Sequence, residues 1–272
     1  MTAALIDWPS LVADGFPFPG HLPASRLVDE LAVALVSTDP GTRDDGACTA
    51  AARWIREGRL DAVLEELADS AAGRFAHPEI QARAFAPLIV CSVLTRAAGV
   101  PGLVSRQAAE HWYAAFSNWY PEERDTRGWD DSLGWLHAVA HGADAVAAFA
   151  KVLPHRRTDL LDLCARRMTV PQTAYRYAQL EDARLARAVV RVLQAPGLTS
   201  EEATGWLGVA AEALKGGGPG PVPVWAFNTF ATLQSLHLHL ARGIADEDVP
   251  PHAEAVAARV AELLRLPYYW LA

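Results

Sequence analysis

The segment SRLVDELAVAL, residues 25–35, followed by Ser37-Thr38-Asp39-Pro40, decides the fold class. Its apolar residues Leu27, Leu31 and Leu35 recur every four positions, the spacing that places side chains on one face of a helix. The Ser-Thr-Asp-Pro run predicts that this helix ends and another begins, because such polar residues cap helix termini and proline suits a first helical turn. A helix–turn–helix unit is therefore expected at the start of the chain.

The same helical spacing continues through the rest of the sequence, whereas clustered β-branched residues and sustained period-two alternation are absent. Further helices are expected over about 60–72, 78–98, 105–119, 132–152, 158–168, 171–195, 200–214, 224–242 and 251–266. Short links between helices of this length are typical of stacked antiparallel hairpins. We therefore predict an all-α fold, an irregular α-solenoid of the HEAT or armadillo type without a strict sequence repeat.

The length of 272 residues with 51% hydrophobic content predicts one helical-repeat domain over residues 1–272. Residues 1–23 are expected to form an extended N-terminal segment. Residues 216–223 contain a run of glycine and proline that cannot be helical, so a loop is expected there.

Charge and composition exclude several classes of partner. A net charge of -8 and a pI near 5.6 oppose nucleic-acid binding, which needs a basic surface. No secretory signal and no apolar stretch approaching the ~20 residues of a membrane span are evident, so no membrane association is expected. The three cysteines lie far apart in apolar helical contexts, which favours a reducing compartment. A cytoplasmic location is expected.

The densest polar and aromatic stretch of the chain covers residues 123–144. Asp130, Asp131 or Ser132 is expected to cap the helix predicted over 132–152, which would place His137, His141 and Asp144 on one helix face. Two imidazoles and a carboxylate in this arrangement could hold a divalent metal, with a fourth ligand from elsewhere. Alternatively, the imidazoles hydrogen-bond to neighbouring helices and Asp144 pairs with Arg127 or Arg184.

Arginines offer a second candidate site. Arg43, Arg127 and Arg184 could converge on an anion, with Trp129 and Trp135 as an aromatic wall. Alternatively, these arginines form ion pairs with nearby aspartates. The candidate ligand-binding residues are Asp125, Arg127, Trp129, Trp135, His137, His141, Asp144, Glu181, Asp182 and Arg184.

Gly134 and Gly142 are unfavourable within the predicted helix, by on the order of 1 kcal/mol each relative to alanine. We therefore expect another segment of the chain to approach closely at these two positions.

Four pieces of the sequence also resemble a known family. They are Ser37-Thr38-Asp39-Pro40 with Arg43-Asp44; Arg83-x-Phe85; the block from Glu123 to Asp144 that contains Gly134-Trp135-x-His137-x3-His141-Gly142; and Glu181-Asp182-x-Arg184-Leu185. Together they cover most of residues 30–195. This order resembles the bacterial proteins grouped as domain of unknown function 2785 (DUF2785). The resemblance implies a helical-repeat fold and provides no catalytic residue.

Two functions are compatible with these observations. The first is a binding or scaffold module that recognises a protein segment or a small anionic ligand on a concave face. The second is a metal-dependent hydrolase that uses His137, His141 and Asp144 as ligands, with Glu181 or Asp125 as base. Phosphate-binding loops and a serine nucleophile elbow are missing from the sequence, which opposes an ATPase, a dehydrogenase or a serine hydrolase.

Overall fold

The computed structural model describes residues 6–216, 220–243 and 248–266. It is predominantly helical, as predicted. The α-helices are α1 Trp8–Ala13, α2 Ala24–Ala34, α3 Thr49–Arg56, α4 Leu64–Gly73, α5 Ile80–Gly99, α6 Arg106–Trp119, α7 Ala138–Val152, α8 Arg157–Met168, α9 Glu181–Leu193, α10 Ser200–Gly205, α11 Leu207–Lys215, α12 Val224–Arg242 and α13 Ala253–Arg265. Two short strands, β1 Trp129–Asp130 and β2 Gly134–Trp135, pair antiparallel.

The helical segments at the start of the chain follow the sequence closely. Helix α2 lies where the leucine spacing places it, and a π-helical segment, Gly41–Cys48, follows Pro40 and runs directly into α3. Gly58, with a φ of 73°, ends that helix as expected of a glycine after a C-terminus. The capping prediction for residues 37–40 is borne out in part, because the Asp39 carboxylate accepts the Thr42 N–H at 2.9 Å.

The most extensive helix–helix packing joins four successive pairs of helices along the chain. Helix α5 packs against α7, α7 against α9, α9 against α12, and α12 against α13. A second set of helices flanks this row: α4 packs against α5 and α6, and α8 packs against α9 and α11. Because each helix buries its apolar face against the next one, a single continuous hydrophobic core runs through the described residues.

Helix α5 has, by length and composition alone, what a membrane span requires: 20 residues and a mean hydropathy of 1.2. The expectation that no apolar stretch approaches this length is therefore wrong. Half of the apolar window is buried, and the helix packs against α3, α4 and α7. A helix surrounded by neighbours in a protein interior needs this same apolar composition.

The helix predicted over 132–152 begins only at Ala138, and this is the main error of the sequence-based fold. Residues 129–135 form a hairpin in which Trp129 pairs with Trp135. Asp130 caps the hairpin turn instead of a helix, since its Oδ1 accepts the N–H groups of Ser132 and Leu133 at 2.9 and 3.0 Å.

A distant arginine explains why this segment is not helical. The buried Arg43 guanidinium donates to the carbonyls of Leu133 and Trp135 at 2.5 and 3.3 Å. In a helix, those carbonyls would accept from amides four residues later. Gly134 also has a φ of 71°, which lies outside the right-handed helix region.

Three other boundaries differ from the predictions. The N-terminal segment expected to be extended contains α1, whose first turn is capped by Asp7. Helix α9 begins at Glu181, although the predicted helix began at residue 171. Of the predicted 216–223 loop, residues 217–219 lie outside the described residues, and α12 begins directly after Pro223.

Both glycines of the predicted helix do meet another segment closely. A Cβ at Gly142 would lie 2.0 Å from the Tyr120 ring. A Cβ at Gly134 would lie 3.0 Å from the Pro40 side chain. The expectation of close approach is therefore confirmed, although Gly134 lies in the hairpin and only Gly142 lies in a helix.

Candidate functional site

The hairpin lies against the first turn of α9, and glycine makes this contact possible. A Cβ at Gly128 would lie 2.2 Å from Glu181 Oε1 and 2.7 Å from the Gln179 side chain. The Gly128 carbonyl accepts the Leu136 N–H at 2.9 Å, which extends the hairpin pairing toward α7. The hairpin and the α9 corner are therefore packed too tightly for any other residue at position 128.

Arg127 stabilises the hairpin through two carboxylates. Its guanidinium binds Asp125 with two hydrogen bonds, of 2.9 and 2.6 Å, and also binds Asp130. This bidentate geometry is the strong form of an arginine–carboxylate pair. Arg127 therefore serves the local structure of the hairpin.

A row of aromatic rings leads from the surface into the core. Trp129 and Trp135, exposed by 44% and 42%, meet edge to face with centroids 4.9 Å apart. Trp135 meets His137 in the same way at 4.6 Å, and His137 lies 5.6 Å from His141. The inner end is Phe85, with its ring 5.2 Å from that of His141. This row is half accessible at its outer end and buried at its inner end.

His141 is a core residue. Its Nδ1–H donates to the Ala84 carbonyl at 2.9 Å, which holds the ring between α5 and α7. Burial lowers its pKa to about 3, so it is neutral at pH 7. The geometry therefore favours the alternative in which His141 hydrogen-bonds to a neighbouring helix and does not bind a metal.

His137 and Glu181 are the two polar groups of this site that lack hydrogen-bond partners where they face each other. His137 Nε2 lies 3.9 Å from Glu181 Oε1, and both atoms are fully buried without a hydrogen bond among the described residues. Glu181 Oε2 accepts the Gln179 N–H at 2.8 Å. A buried polar atom without a hydrogen bond is energetically unfavourable. Two such atoms facing each other therefore need an explanation, and a functional role provides one.

Burial sets the protonation of both groups. Burial, with a smaller contribution from the Arg184 guanidinium, lowers the pKa of His137 to about 4. Burial raises the pKa of Glu181 above its usual range, because the low-dielectric interior disfavours the carboxylate. His137 is therefore a neutral imidazole at pH 7.

The backbone at this pair is in an uncommon conformation. His137 has a φ of 50°, and Leu180, directly before Glu181, has a φ of 64°. Non-glycine residues in the left-handed region are destabilised by roughly 1–2 kcal/mol. Such strain is concentrated at functional sites, where the surrounding structure maintains it.

Replacing Leu180 by asparagine should raise the free energy of unfolding by about 0.5–1 kcal/mol, because asparagine enters the left-handed region more readily. Leu180 is 71% exposed, so little packing is lost. Urea denaturation measures the change. Leu238→Asn is the matched control: this leucine is 60% exposed within α12, where asparagine should be slightly destabilising. Equal effects at the two positions would contradict strain at Leu180.

Asp144 does not join the two histidines. It forms a salt bridge with Arg184 of α9, with the Arg184 Nε to Asp144 Oδ1 distance at 3.2 Å. Among the residues that the structure describes, no group of three or more His, Cys, Asp and Glu side chains could hold a metal ion. The assumption that His137 lies within the helix is also wrong, since it precedes α7 in the left-handed conformation. The geometry therefore does not favour the metal hypothesis.

The arginines proposed to converge on an anion each bind a different carboxylate. Arg43 pairs with Asp44 at 2.6 Å, Arg127 with Asp125 and Asp130, and Arg184 with Asp144. These arginines therefore form ion pairs with aspartates and do not converge on a shared anion site. Asp182 instead accepts a hydrogen bond from the Ser235 hydroxyl of α12 at 3.1 Å.

Sequence reasoning missed a basic groove between α7 and α9. Its charged lining consists of Asp144, Lys151, Arg184, Arg187 and Arg191. The signal was present in the sequence, because arginines at 184, 187 and 191 share one face of a helix. The adjoining cleft between α3 and α5 adds Arg56 and Arg96, and both clefts include Cys91 and Thr95.

The hairpin and the groove lie in a part of the chain that matches a known protein family. Residues 73–238 match the family described as "Protein of unknown function (DUF2785)". The chain belongs to the DUF2785 family. No curated protein and no solved structure matches it significantly.

The DUF2785 match includes the structural features described above. The hairpin, the His137–Glu181 pair and the α7–α9 groove all lie within it. Of the four sequence pieces that carried the resemblance, only the one over residues 37–44 lies outside the match. The description of the family states no activity, so function has to be argued from the geometry.

Proposed function

We propose that this DUF2785 protein is a helical-repeat binding module whose basic groove binds an acidic peptide segment in an extended conformation. The row α5, α7, α9 and α12, each packed on the next, supports an irregular α-solenoid of the HEAT or armadillo type. Solenoids of this kind present one elongated surface that suits an extended partner.

The distribution of charge carries this proposal. The chain has a net charge of -8, yet the described lining of the two joined clefts contains Asp144 as its single carboxylate. The basic side chains of that lining are Arg56, Arg96, Lys151, Arg184, Arg187 and Arg191. A basic groove on an acidic protein attracts an anionic ligand and steers its approach.

Three of these side chains are available for a ligand. Arg56, Lys151 and Arg187 are exposed and make no ion pair with any residue that the structure describes. Arg184 and Arg96, in contrast, already pair with Asp144 and Asp61. Lys151 and Arg187, which lie in the α7–α9 groove itself, are the first groups expected to bind the carboxylates of a peptide.

The size of the groove favours a peptide over a single small anion. The cleft at α7 and α9 encloses about 180 Å³, and the adjoining cleft at α3 and α5 about 350 Å³. Together they cross four helices, a distance of about 27 Å at the usual interaxial spacing. An extended peptide of about eight residues spans this distance.

Reversing charge in the groove should abolish most of the binding. We expect the double variant Lys151→Glu/Arg187→Glu to weaken binding of an eight-residue peptide rich in Asp and Glu by about tenfold or more, since each reversal replaces an attraction by a repulsion. Isothermal titration calorimetry at low salt measures the affinity. Binding by the unmodified protein should weaken as salt is added.

Arg265→Glu is a suitable control, because this exposed arginine of α13 lies outside the groove and undergoes the same change of charge as each single reversal in the double variant. It should bind the peptide like the unmodified protein. Failure of the unmodified protein to bind, or an equal loss in the control, would overturn the proposal. Binding of inorganic phosphate with no binding of the peptide would replace the peptide by a small anion.

A further inference from the structure

We propose that His137 and Glu181 form a general-base dyad that hydrolyses a neutral ester held against Trp129 and Trp135. This second activity is independent of the peptide groove and uses different side chains. It rests on the two facing orphaned atoms, on the accessible face of the imidazole and on the aromatic walls beside it.

The two ring nitrogens of His137 have different surroundings. Nε2 is fully buried and faces Glu181 Oε1 at 3.9 Å. The side chain is 11% exposed overall, and we assign this exposure to the Nδ1 side of the ring, because Nδ1 is not among the fully buried atoms without a partner. With its proton on Nε2, toward the carboxylate, the neutral imidazole presents an unprotonated Nδ1 to the surface. A free imidazole nitrogen open to solvent is a general base.

Glu181 is positioned to stabilise the protonated form of His137. When Nδ1 takes up a proton, the ring becomes an imidazolium whose Nε2–H points to a buried carboxylate. A movement of about 1 Å would shorten the 3.9 Å separation to a charge-assisted hydrogen bond. A buried carboxylate behind an imidazole acts in this way in hydrolytic sites: it orients the ring and stabilises the imidazolium.

The backbone holds this pair in place. His137 and Leu180, both in the left-handed conformation, fix the imidazole and the first residue of α9. A Cβ at position 128 would lie 2.2 Å from Glu181 Oε1, so the glycine allows the carboxylate to lie directly against the hairpin. Holding the backbone of both residues limits the motion that the step needs to the closure of about 1 Å between Nε2 and Oε1.

The surface around Nδ1 defines the class of substrate. The Trp135 ring, 42% exposed, lies next to the imidazole, and the Trp129 ring, 44% exposed, continues this apolar wall outward. The Trp129 indole N–H donates to Asp131 at 3.2 Å, which places one carboxylate at the outer end of these walls. This carboxylate disfavours an anionic substrate there, and the flat walls suit an aromatic or apolar group. A neutral aryl or alkyl ester meets both conditions.

The chemical step balances with water as the only co-reactant. No hydroxyl or thiol of the described residues hydrogen-bonds to His137, so the nucleophile is a water. Nδ1 takes a proton from this water while the oxygen attacks the ester carbonyl carbon. The tetrahedral intermediate then breaks its bond to the leaving oxygen, which receives the proton from Nδ1. The products are an acid and an alcohol, and the dyad returns to its starting state.

Hydrolysis of p-nitrophenyl acetate and p-nitrophenyl benzoate tests the dyad. We expect turnover by the unmodified protein, a loss of about 100-fold or more in His137→Gln, and a fall in kcat in Glu181→Gln with KM largely retained. Because His137 has a positive φ, His137→Gly fits the backbone, and added imidazole should restore part of its activity. A merely structural histidine would show no such rescue.

His111→Gln is the matched control, since it removes an exposed imidazole elsewhere on the surface. It should hydrolyse the esters like the unmodified protein, and circular dichroism should show that all variants are folded. Hydrolysis no faster than that of His137→Gln, or an equal loss in His111→Gln, would overturn the proposal. Failure here is distinguishable from failure of the peptide titration, which measures affinity and depends on Lys151 and Arg187.

Discussion

Gly142→Ala should lower the free energy of unfolding by about 3 kcal/mol, at the upper end of what overpacking of a core produces. The added Cβ would lie 2.0 Å from Tyr120 Cε2 and 2.4 Å from Cδ2. Real contacts between carbon atoms are far longer, so either the ring or α7 must move. Urea or thermal denaturation followed by circular dichroism measures the change.

The Tyr120 ring cannot move aside easily. It is fully buried and stacks on Phe116 with centroids 5.1 Å apart. Its hydroxyl donates to the Val139 carbonyl of α7 at 2.7 Å, in the same helix as Gly142. Displacing the ring would therefore break a buried hydrogen bond as well as its packing.

Gly208→Ala is the matched control, because Gly208 also lies in a helix, α11, and a Cβ there meets nothing within 4 Å. Alanine at that position should stabilise the protein by roughly 0.5–1 kcal/mol through its higher helix propensity. The two substitutions are chemically identical and should have opposite signs. A Gly142→Ala protein as stable as the unmodified one would contradict the packing described at Tyr120.

Arg43→Met should lower the free energy of unfolding by about 3 kcal/mol, the lower end of the range for removing one partner of a buried ion pair, because Asp44 is only half-buried. Arg43 is completely buried and pairs with Asp44. It also donates to the carbonyls of Ser37, Leu133 and Trp135. Methionine would leave the half-buried Asp44 carboxylate and three carbonyls without this partner.

The same substitution should loosen the hairpin specifically. Because Arg43 joins the π-helical segment to the carbonyls of the hairpin, its loss should increase quenching of tryptophan fluorescence by acrylamide at Trp129 and Trp135. Arg59→Met is the control, since Arg59 is exposed and forms no ion pair among the described residues. It should change stability by less than about 0.5 kcal/mol. A similar, small effect at Arg43 would show that the hairpin is held by other contacts.

Much of the helical scaffold was predictable because its signals are local. The leucine spacing of residues 27–35 and the capping run at residues 37–40 act within one or two turns of the chain. The expectation of close approach at Gly142 was also local in origin. A glycine inside a helix is unfavourable, so another segment has to compensate for it.

The candidate site was only partly predictable. His137, Glu181 and the two tryptophans were all singled out as binding residues, and the structure brings His137 next to Glu181 and Trp135. The helix that was expected to carry His137 begins only after it, because the decisive contact comes from Arg43, about 90 positions earlier in the chain. No periodicity within a window of the sequence contains such a contact.

The sequence by itself determined the helical class, most helix positions and the residues that bear chemistry, since each depends on neighbours along the chain. Only the tertiary structure decided that residues 129–135 form a hairpin, that Asp144 forms an ion pair with Arg184, and that His137 faces the buried carboxylate of Glu181. Those outcomes depend on which distant groups compete for the same carbonyls and charges. That competition is resolved only when the helices pack.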